Sequence, residues 1–343
     1  MKVLVTGDRG YIGSVLTKML LEKSHDVVGY DADYYAGTEL YPRDHSYRQI
    51  VKDIRNVAEG DVRGFDAVIH LAGLSNDPLG ALAPHLTEEI NYEGTLRLAR
   101  LAKQAGVSRF IYASSQSMYG ISKSQQELDE DDSDKNAITA YAKTKWKAEL
   151  ALKDLGDEEF TVVSFRPSTV FGASPRLRCD IVFNSLVGSA YTTGKIEIKS
   201  DGTPWRPVVH VRDVSSAFIA GLEAPRALIA DQAFNVGIPN GNFTVRDLAE
   251  AAQRAVPGSE LTFTGEHGSD ARTYRVSFKK ILTVLKDHFK PEWDLARGGQ
   301  ELVETFKRIN FTEEQFRGRM TNRLMQLEFL LRSKQLTGDL RHV

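Results

Sequence analysis

Two side chains in the segment TAYAKTKWKAEL can do acid–base chemistry together: Tyr141 and Lys145, on a helix expected over 137–155. A spacing of four puts both on one helix face. A free phenol titrates near pH ~10, too high for a base at neutral pH. An ammonium beside it favours the phenolate and lowers that value. Tyr141 can then take the proton of a substrate hydroxyl while hydrogen leaves the same carbon. Ser115, at the end of a strand expected over 109–115, is placed to share the hydrogen bond to the reacting oxygen. Y-x-x-x-K is common by chance, so its weight depends on what the neighbouring elements bind.

Those elements begin with a glycine turn. VTGDRGYIGSVL carries Gly7, Gly10 and Gly13 between an apolar strand (2–7) and an amphipathic helix (11–23). The spacing G-x-x-G-x-x-G departs by one residue from the dinucleotide fingerprint G-x-G-x-x-G. The physics is shared: glycines let the backbone approach closely, and the helix N-terminus offers free N–H groups to a pyrophosphate. Gly7, Gly10, Tyr11, Ile12 and Gly13 are therefore the expected contacts of the turn. Asp31 closes the second strand (26–31). A carboxylate there accepts both ribose hydroxyls and repels a 2′-phosphate, which favours NAD over NADP. With NAD in place, the positive nicotinamide adds to the pull of Lys145 on Tyr141, and Lys145 also holds the nicotinamide ribose.

Further apolar strands are expected at 48–53, 67–73 and 160–167, with a helix over 87–105. Nearly continuous Val/Ile/Leu runs are those of strands covered on both faces. Strands alternating with helices imply right-handed crossovers and a parallel sheet. The expected fold class is α/β, a Rossmann-like doubly wound parallel sheet with a smaller C-terminal substrate-binding domain. Residues 1–167, with returns at about 207–238 (a strand-helix unit over 208–224 and a strand at 233–237), form the NAD-binding part. Residues 168–206, including a helix at 180–190, and 239–343 form the substrate-binding part, whose tail 311–340 reads as helical.

The 343 residues suffice for a substantial core, and 44 Lys plus Arg against 46 Asp plus Glu leave a net charge of -2. That balance gives no reason to expect nucleic acid or an anionic membrane as partner, and no apolar run approaches the ~20 residues that span a bilayer. The single cysteine, Cys179, excludes an internal disulfide and points to a reducing compartment, with cytoplasm as the expectation. No His or acidic spacing suits a metal. Cys179 beside Asp180 reads as packed rather than catalytic. His210, among apolar neighbours, reads as a core histidine, and Trp205 either stacks on a base or covers a loop.

Taken together, VTGDRGYIGS (5–14), KDIRN (52–56), VIHLAG (68–73), INYEGTLRL (90–98), YASSQSMYG (112–120), YAKTK (141–145), RPSTVFG (166–172) and RPVVHVRDV (206–214) resemble the extended short-chain dehydrogenase/reductase family, in its nucleotide-sugar epimerase/dehydratase branch. The resemblance spans nearly the whole chain. It implies that Asp53 and Ile54 sit at the adenine and that Leu71 and Ala72 line the cofactor channel. Asn91 is expected near the central phosphates and ribose, and Pro167 against the nicotinamide. Ser115, Tyr141 and Lys145 match the catalytic set. Gln116 and Thr169 fall among the sugar contacts, Arg206 at the substrate pyrophosphate, and Asp270 or Arg272 at late substrate contacts. A homodimer through the helices at 87–105 and 137–155 is also implied.

Departures narrow the chemistry. Dehydratases of this branch carry Asp-Glu after the catalytic Ser/Thr, where this chain has Gln116 and Ser117. The Glu that decarboxylases place nearby is absent as well. Thr169 stands where many 4-epimerases have Asn. VFGASPRLRCD (170–180) resembles a subgroup that includes bacterial enzymes acting on GDP-linked heptoses, which makes GDP a candidate nucleotide. The favoured expectation is a redox-neutral 4-epimerase of a nucleotide-linked sugar. A net 4-dehydrogenase or 4-ketoreductase shares the first half-reaction and stays open. A non-catalytic NAD sensor on the same fold has no need of all three catalytic residues.

Overall fold

The computed structural model describes residues 1–43, 46–75, 83–121, 126–266 and 273–343. Its strands in chain order are β1 (Lys2–Thr6), β2 (Asp26–Asp31), β3 (Arg48–Val51), β4 (Ala67–His70), β5 (Arg109–Ala113), β6 (Thr161–Pro167), β7 (Thr169–Phe171), β8 (Lys195–Ile198), β9 (Trp205–His210), β10 (Gln232–Val236), β11 (Asn242–Thr244) and β12 (Glu260–Phe263). Seven of them form a sheet in the order β10-β6-β5-β4-β1-β2-β3, parallel throughout. The chain runs outward from β1 through β2 to β3, then crosses back to place β4 on the other side of β1. That reversal opens a crevice at the C-terminal ends of β1 and β4, where doubly wound sheets bind ligands.

Alternation along each strand feeds two separate apolar layers. Val3, Val5, Ile69, Ile111, Val163 and Phe165 pack on one side. Leu4, Val28, Val68, Phe110, Tyr112 and Val162 pack on the other. Both faces are covered by helices, which is why the strands read as unbroken hydrophobic runs. A third cluster, with Phe183, Leu186, Leu248, Leu302 and Phe306, builds the smaller region around the helices Val182–Thr193, Val245–Ala255 and Leu295–Arg308.

Three expectations are corrected. β9 does not return to the large sheet; it lies between β7 and β11 in a three-stranded sheet, while the helix after it, Val211–Glu223, places Val214, Ala217 and Phe218 in the large sheet's core. The tail is helical only in part: two helices, Glu313–Arg317 and Arg323–Arg332, are followed by a non-helical stretch with a Leu336–His342 bridge. The helix expected over 87–105 starts earlier, at Pro84, and passes through a π-helical turn at Glu89–Glu93 before continuing as Gly94–Gln104. Among the described residues no helix is long and apolar enough to cross a membrane.

Candidate active site

The crevice is a cleft of about 670 Å³ lined from both regions. Its floor is the glycine turn. Gly7 has φ +75°, and a Cβ there would lie 2.8 Å from the Ala72 nitrogen, so the turn packs directly on the chain leaving β4. At Gly13 a Cβ would come within 2.1 Å of the Gly7 oxygen. Only glycine allows the helix Gly13–Glu22 to start this close to the turn. Tyr11 also lines the cleft, but its hydroxyl is spent, donating to Gly172 O (2.8 Å) and accepting from Asn184 Nδ2 (3.1 Å). It ties the turn to the loop after β7.

Asp31 reaches the cleft at the end of β2 and accepts backbone N–H bonds from Arg9 (3.2 Å) and Asp33 (2.7 Å). Burial pushes its carboxyl above the usual carboxylate range, the Asp33 charge adding to it. Beneath lies Asp8, fully buried against Gly29, where a Cβ would meet its carboxylate at 2.2 Å. Tyr47 donates to Asp8 Oδ2 (2.9 Å), while Oδ1 has no hydrogen-bond partner among the described residues. Burial, and next the Asp31 charge, raise Asp8 from 3.8 to about 7.

Along the far rim stand Asp53 and Ile54. Asp53 caps a short 3₁₀ turn by accepting from the Arg55 N–H at 2.8 Å. Burial opposes ionisation there, but hydrogen bonds from Arg55 prevail and hold the carboxyl below its ordinary value. Leu71 and Ala72 line the cleft as expected. Asn91 sits behind the lining rather than in it: its amide both accepts from Leu74 N (2.8 Å) and donates to Leu74 O (3.0 Å). The π-helical turn that carries Asn91 thus secures the loop after β4.

Tyr141, Lys145 and Ser115 all line the same cleft. The helix Ala140–Lys153 is capped by Thr139, whose Oγ1 accepts from Ala142 N at 3.2 Å. Lys145 is buried, donates to Ala113 O at 2.8 Å, and stands 4.9 Å over the Tyr112 ring. Burial lowers its ammonium from 10.5 to about 8. Ser115 caps the 3₁₀ turn Gln116–Tyr119 and shares a 2.9 Å bond with Ser117 Oγ.

Gln116 also borders the cleft, but its amide is engaged with Arg166 O (3.0 Å), Val236 O (3.4 Å) and Ser168 Oγ (3.2 Å). Pro167, Thr169 and Arg206 line the cleft too. Asp270 and Arg272 lie outside the described residues. Cys179 is buried away from the lining, its thiol pushed up to about 12 by desolvation. His210 is wholly buried, bonded to Glu301 Oε2 (2.8 Å) and stacked on Trp293. Trp205 does not line the cleft; Arg275 lies over its ring.

Sequence reasoning passed over Glu149, which continues the Tyr141–Lys145 face by one more turn. Its carboxylate accepts from Ser114 Oγ (2.5 Å) and pairs with buried Arg166 (2.5 Å). This clasp joins the Tyr141–Lys145 helix to the ends of β5 and β6. A carboxylate at i, i+4, i+8 with Tyr and Lys was the available signal. Arg178 and Arg323, both buried and both on the cleft, were also missed.

The residues present fit NAD: a turn a Cβ would fill, a helix start above it, and a carboxylate at the ribose position. Comparison with known proteins agrees. The model of the NAD dependent epimerase/dehydratase family matches residues 3–237. A UDP-glucose 4-epimerase of Mycolicibacterium smegmatis is 30% identical, the alignment covering 90% of this chain and 99% of that protein. A UDP-glucose 4-epimerase of Bacillus subtilis is 28% identical over 88% and 94%. Among solved structures, MoeE5 in complex with UDP-glucose and NAD superposes with a TM-score of 0.75 at 28% identity, covering 90% of this chain and 99% of that one.

Proposed function

Because this chain belongs to the NAD-dependent epimerase/dehydratase family, we propose that it inverts carbon 4 of a nucleotide-linked sugar through a transient 4-keto sugar, with Tyr141 as the base. One observation carries the choice of epimerisation. Ser115, Tyr141 and Lys145 converge on the cleft of the glycine turn, while the position after Ser115 holds a neutral amide. Gln116 is bound to two carbonyls and a hydroxyl and has no proton to give to a leaving hydroxyl. Loss of water therefore lacks its acid, whereas proton removal from O4 does not lack its base.

NAD, when bound, supplies a hydride acceptor that returns what it takes. The chain's residues do the rest. Lys145, fixed by Ala113 O, presents a buried ammonium that favours the Tyr141 phenolate. Ser115 steadies the reacting oxygen. Asp31 takes the adenosine ribose, Asp53 and Ile54 border the adenine, and Leu71, Ala72 and Pro167 enclose the rest of the cofactor. Thr169 and Arg206 serve the sugar and its diphosphate, with Asp270 and Arg272 as further candidates. Residues 1–167, the helix Val211–Glu223 and β10 form the cofactor part, and 168–206, with the rest of β9, and 239–343 the substrate part. The exposed Leu150 on the catalytic helix supports a homodimer through that helix and Gly94–Gln104.

The test is turnover of UDP-, GDP-, CDP- and dTDP-sugars, with absorbance of NADH followed and product stereochemistry read by NMR. The expected result is an inverted sugar without accumulating NADH. A keto-sugar with stoichiometric NADH replaces the epimerase by a net dehydrogenase.

A further inference from the structure

Two buried arginines face the cleft with a single carboxylate between them. Arg178 is 8% exposed and Arg323 3%, yet both line the cavity. Arg178 directs Nε and Nη2 to Asp180 (2.9 and 3.0 Å) and Nη1 to Ser75 Oγ at 3.2 Å. Ser75 is itself a cleft residue, two positions beyond Gly73 on the chain that Gly7 packs against. Asp180 also takes the backbone N–H of Arg323. The Arg323 guanidinium lies 4.0 Å over the Tyr35 ring and gives one N–H to Arg176 O at 2.9 Å. Among the described residues no carboxylate comes within ion-pairing distance of it.

Asp180 is thus the one carboxylate shared by two buried guanidiniums; an under-compensated buried cation is costly, and burial lowers Arg323 to about 10 even with Asp180 and Tyr35 opposing it. A fold keeps such a group where a ligand brings the missing negative charge. The same cleft is lined by the glycine turn with its helix N-terminus, built to receive a diphosphate. Arg178 also lies within electrostatic reach of Tyr11 in that turn.

Arg323 opens a helix, and the chain beyond it runs along the adenosine end of the cleft. Tyr34 donates to Leu340 O at 2.7 Å and Arg55 to Asp339 O at 2.9 Å. His342 Nε2 meets Ala32 O at 2.7 Å, and its ring lies against Tyr34. Gln326 donates to Tyr34 O at 3.1 Å. Segments 31–35 and 53–55, which frame the adenosine end, are thus tied to one strap.

We infer that Arg178 and Arg323 clamp the diphosphate of the bound dinucleotide, and that residues 322–342 form a strap that must lift before NAD can leave. The inference rests on this cleft being the NAD site, and it matches a redox-neutral cycle, in which the cofactor has no need to exchange. The same chemistry would suit the substrate's diphosphate, so the experiment separates the two.

Full-length wild type, Arg323→Met, Arg323→Lys and His342→Ala are compared by calorimetry with NAD, ADP-ribose, adenosine and, on NAD-loaded protein, UDP and GDP. NAD release is followed by stopped flow. Arg323→Met is expected to weaken NAD and ADP-ribose about tenfold or more and adenosine less than twofold. Arg323→Lys recovers part of the loss, which excludes simple misfolding. His342→Ala is expected to speed NAD release several-fold. Unchanged NAD affinity in Arg323→Met, or a loss confined to UDP or GDP, overturns the clamp. Unchanged release from His342→Ala overturns the strap. A wild type that binds no NAD refutes the cofactor site itself, an outcome distinct from both.

Discussion

Asp8 offers a stability test of the turn that needs no substrate. Its carboxyl is fully buried beneath the cofactor cleft and titrates near 7 rather than at 3.8. In the unfolded chain it ionises at its ordinary value, so between pH 4 and 7 the folded chain holds a proton that the unfolded chain has released. Stability from this group is therefore greatest in acid and falls as pH rises to 7, then levels off. The whole span is roughly three pH units at about 1.4 kcal/mol each, or about 4 kcal/mol. Moving from pH 5.5 to 8 covers half of it, about 2 kcal/mol. Asp8→Asn keeps the shape and removes the titration. Urea unfolding of cofactor-free protein at both pH values should show the wild type losing about 2 kcal/mol more than the variant. Equal losses, or a larger loss in Asp8→Asn, would refute a protonated Asp8 in the folded turn.

Glu149→Gln leaves Arg166 buried without its counter-ion and should cost about 3 kcal/mol or more in thermal unfolding, with kcat reduced more than KM because the catalytic helix loses its clasp; a neutral result contradicts that role. Gly13→Ala brings a Cβ against two backbone groups, Gly7 O at 2.1 Å and Asp8 Cα at 2.7 Å. It should weaken NAD about tenfold or more with circular dichroism unchanged, and wild-type affinity would disprove the close approach. Cys179→Ala should keep turnover within about twofold, since the thiol is buried off the cleft and held near 12; a hundredfold loss would restore it as an acid–base group.

Local patterns in the sequence located the turn, the cleft carboxylate Asp31, the Tyr–Lys face and the parallel strands, because each is set by neighbours a few residues apart. Val3, Leu4 and Val5 alternate between two cores, and a strand buried on both sides must be apolar throughout. The partner of β9 was not legible. Its Val208 and Val209 suit any buried sheet, and the choice between the large and small sheets is made by contacts with β7 and β11, far apart in the chain. For Asn91 the resemblance implies a place near the phosphates and ribose; that its amide is taken up by the Leu74 backbone, 17 residues away, is legible only in the fold. The strap left no trace because its ties end on carbonyl oxygens of Ala32, Asp339 and Leu340, which every residue possesses. The Glu149–Arg166 pair was not legible because its partners lie 17 residues apart on a helix and a strand that meet only in the packed fold.

The central claim is that hydrogen leaves and returns to one sugar carbon under the control of Tyr141. The most direct measurement follows a nucleotide-sugar deuterated at carbon 4, turned over in ordinary water and read by NMR and mass spectrometry, beside a Tyr141→Phe control. The account predicts an inverted product with deuterium still on carbon 4, and no product from the variant. Deuterium lost to solvent, or inversion that persists without the phenol, would contradict it.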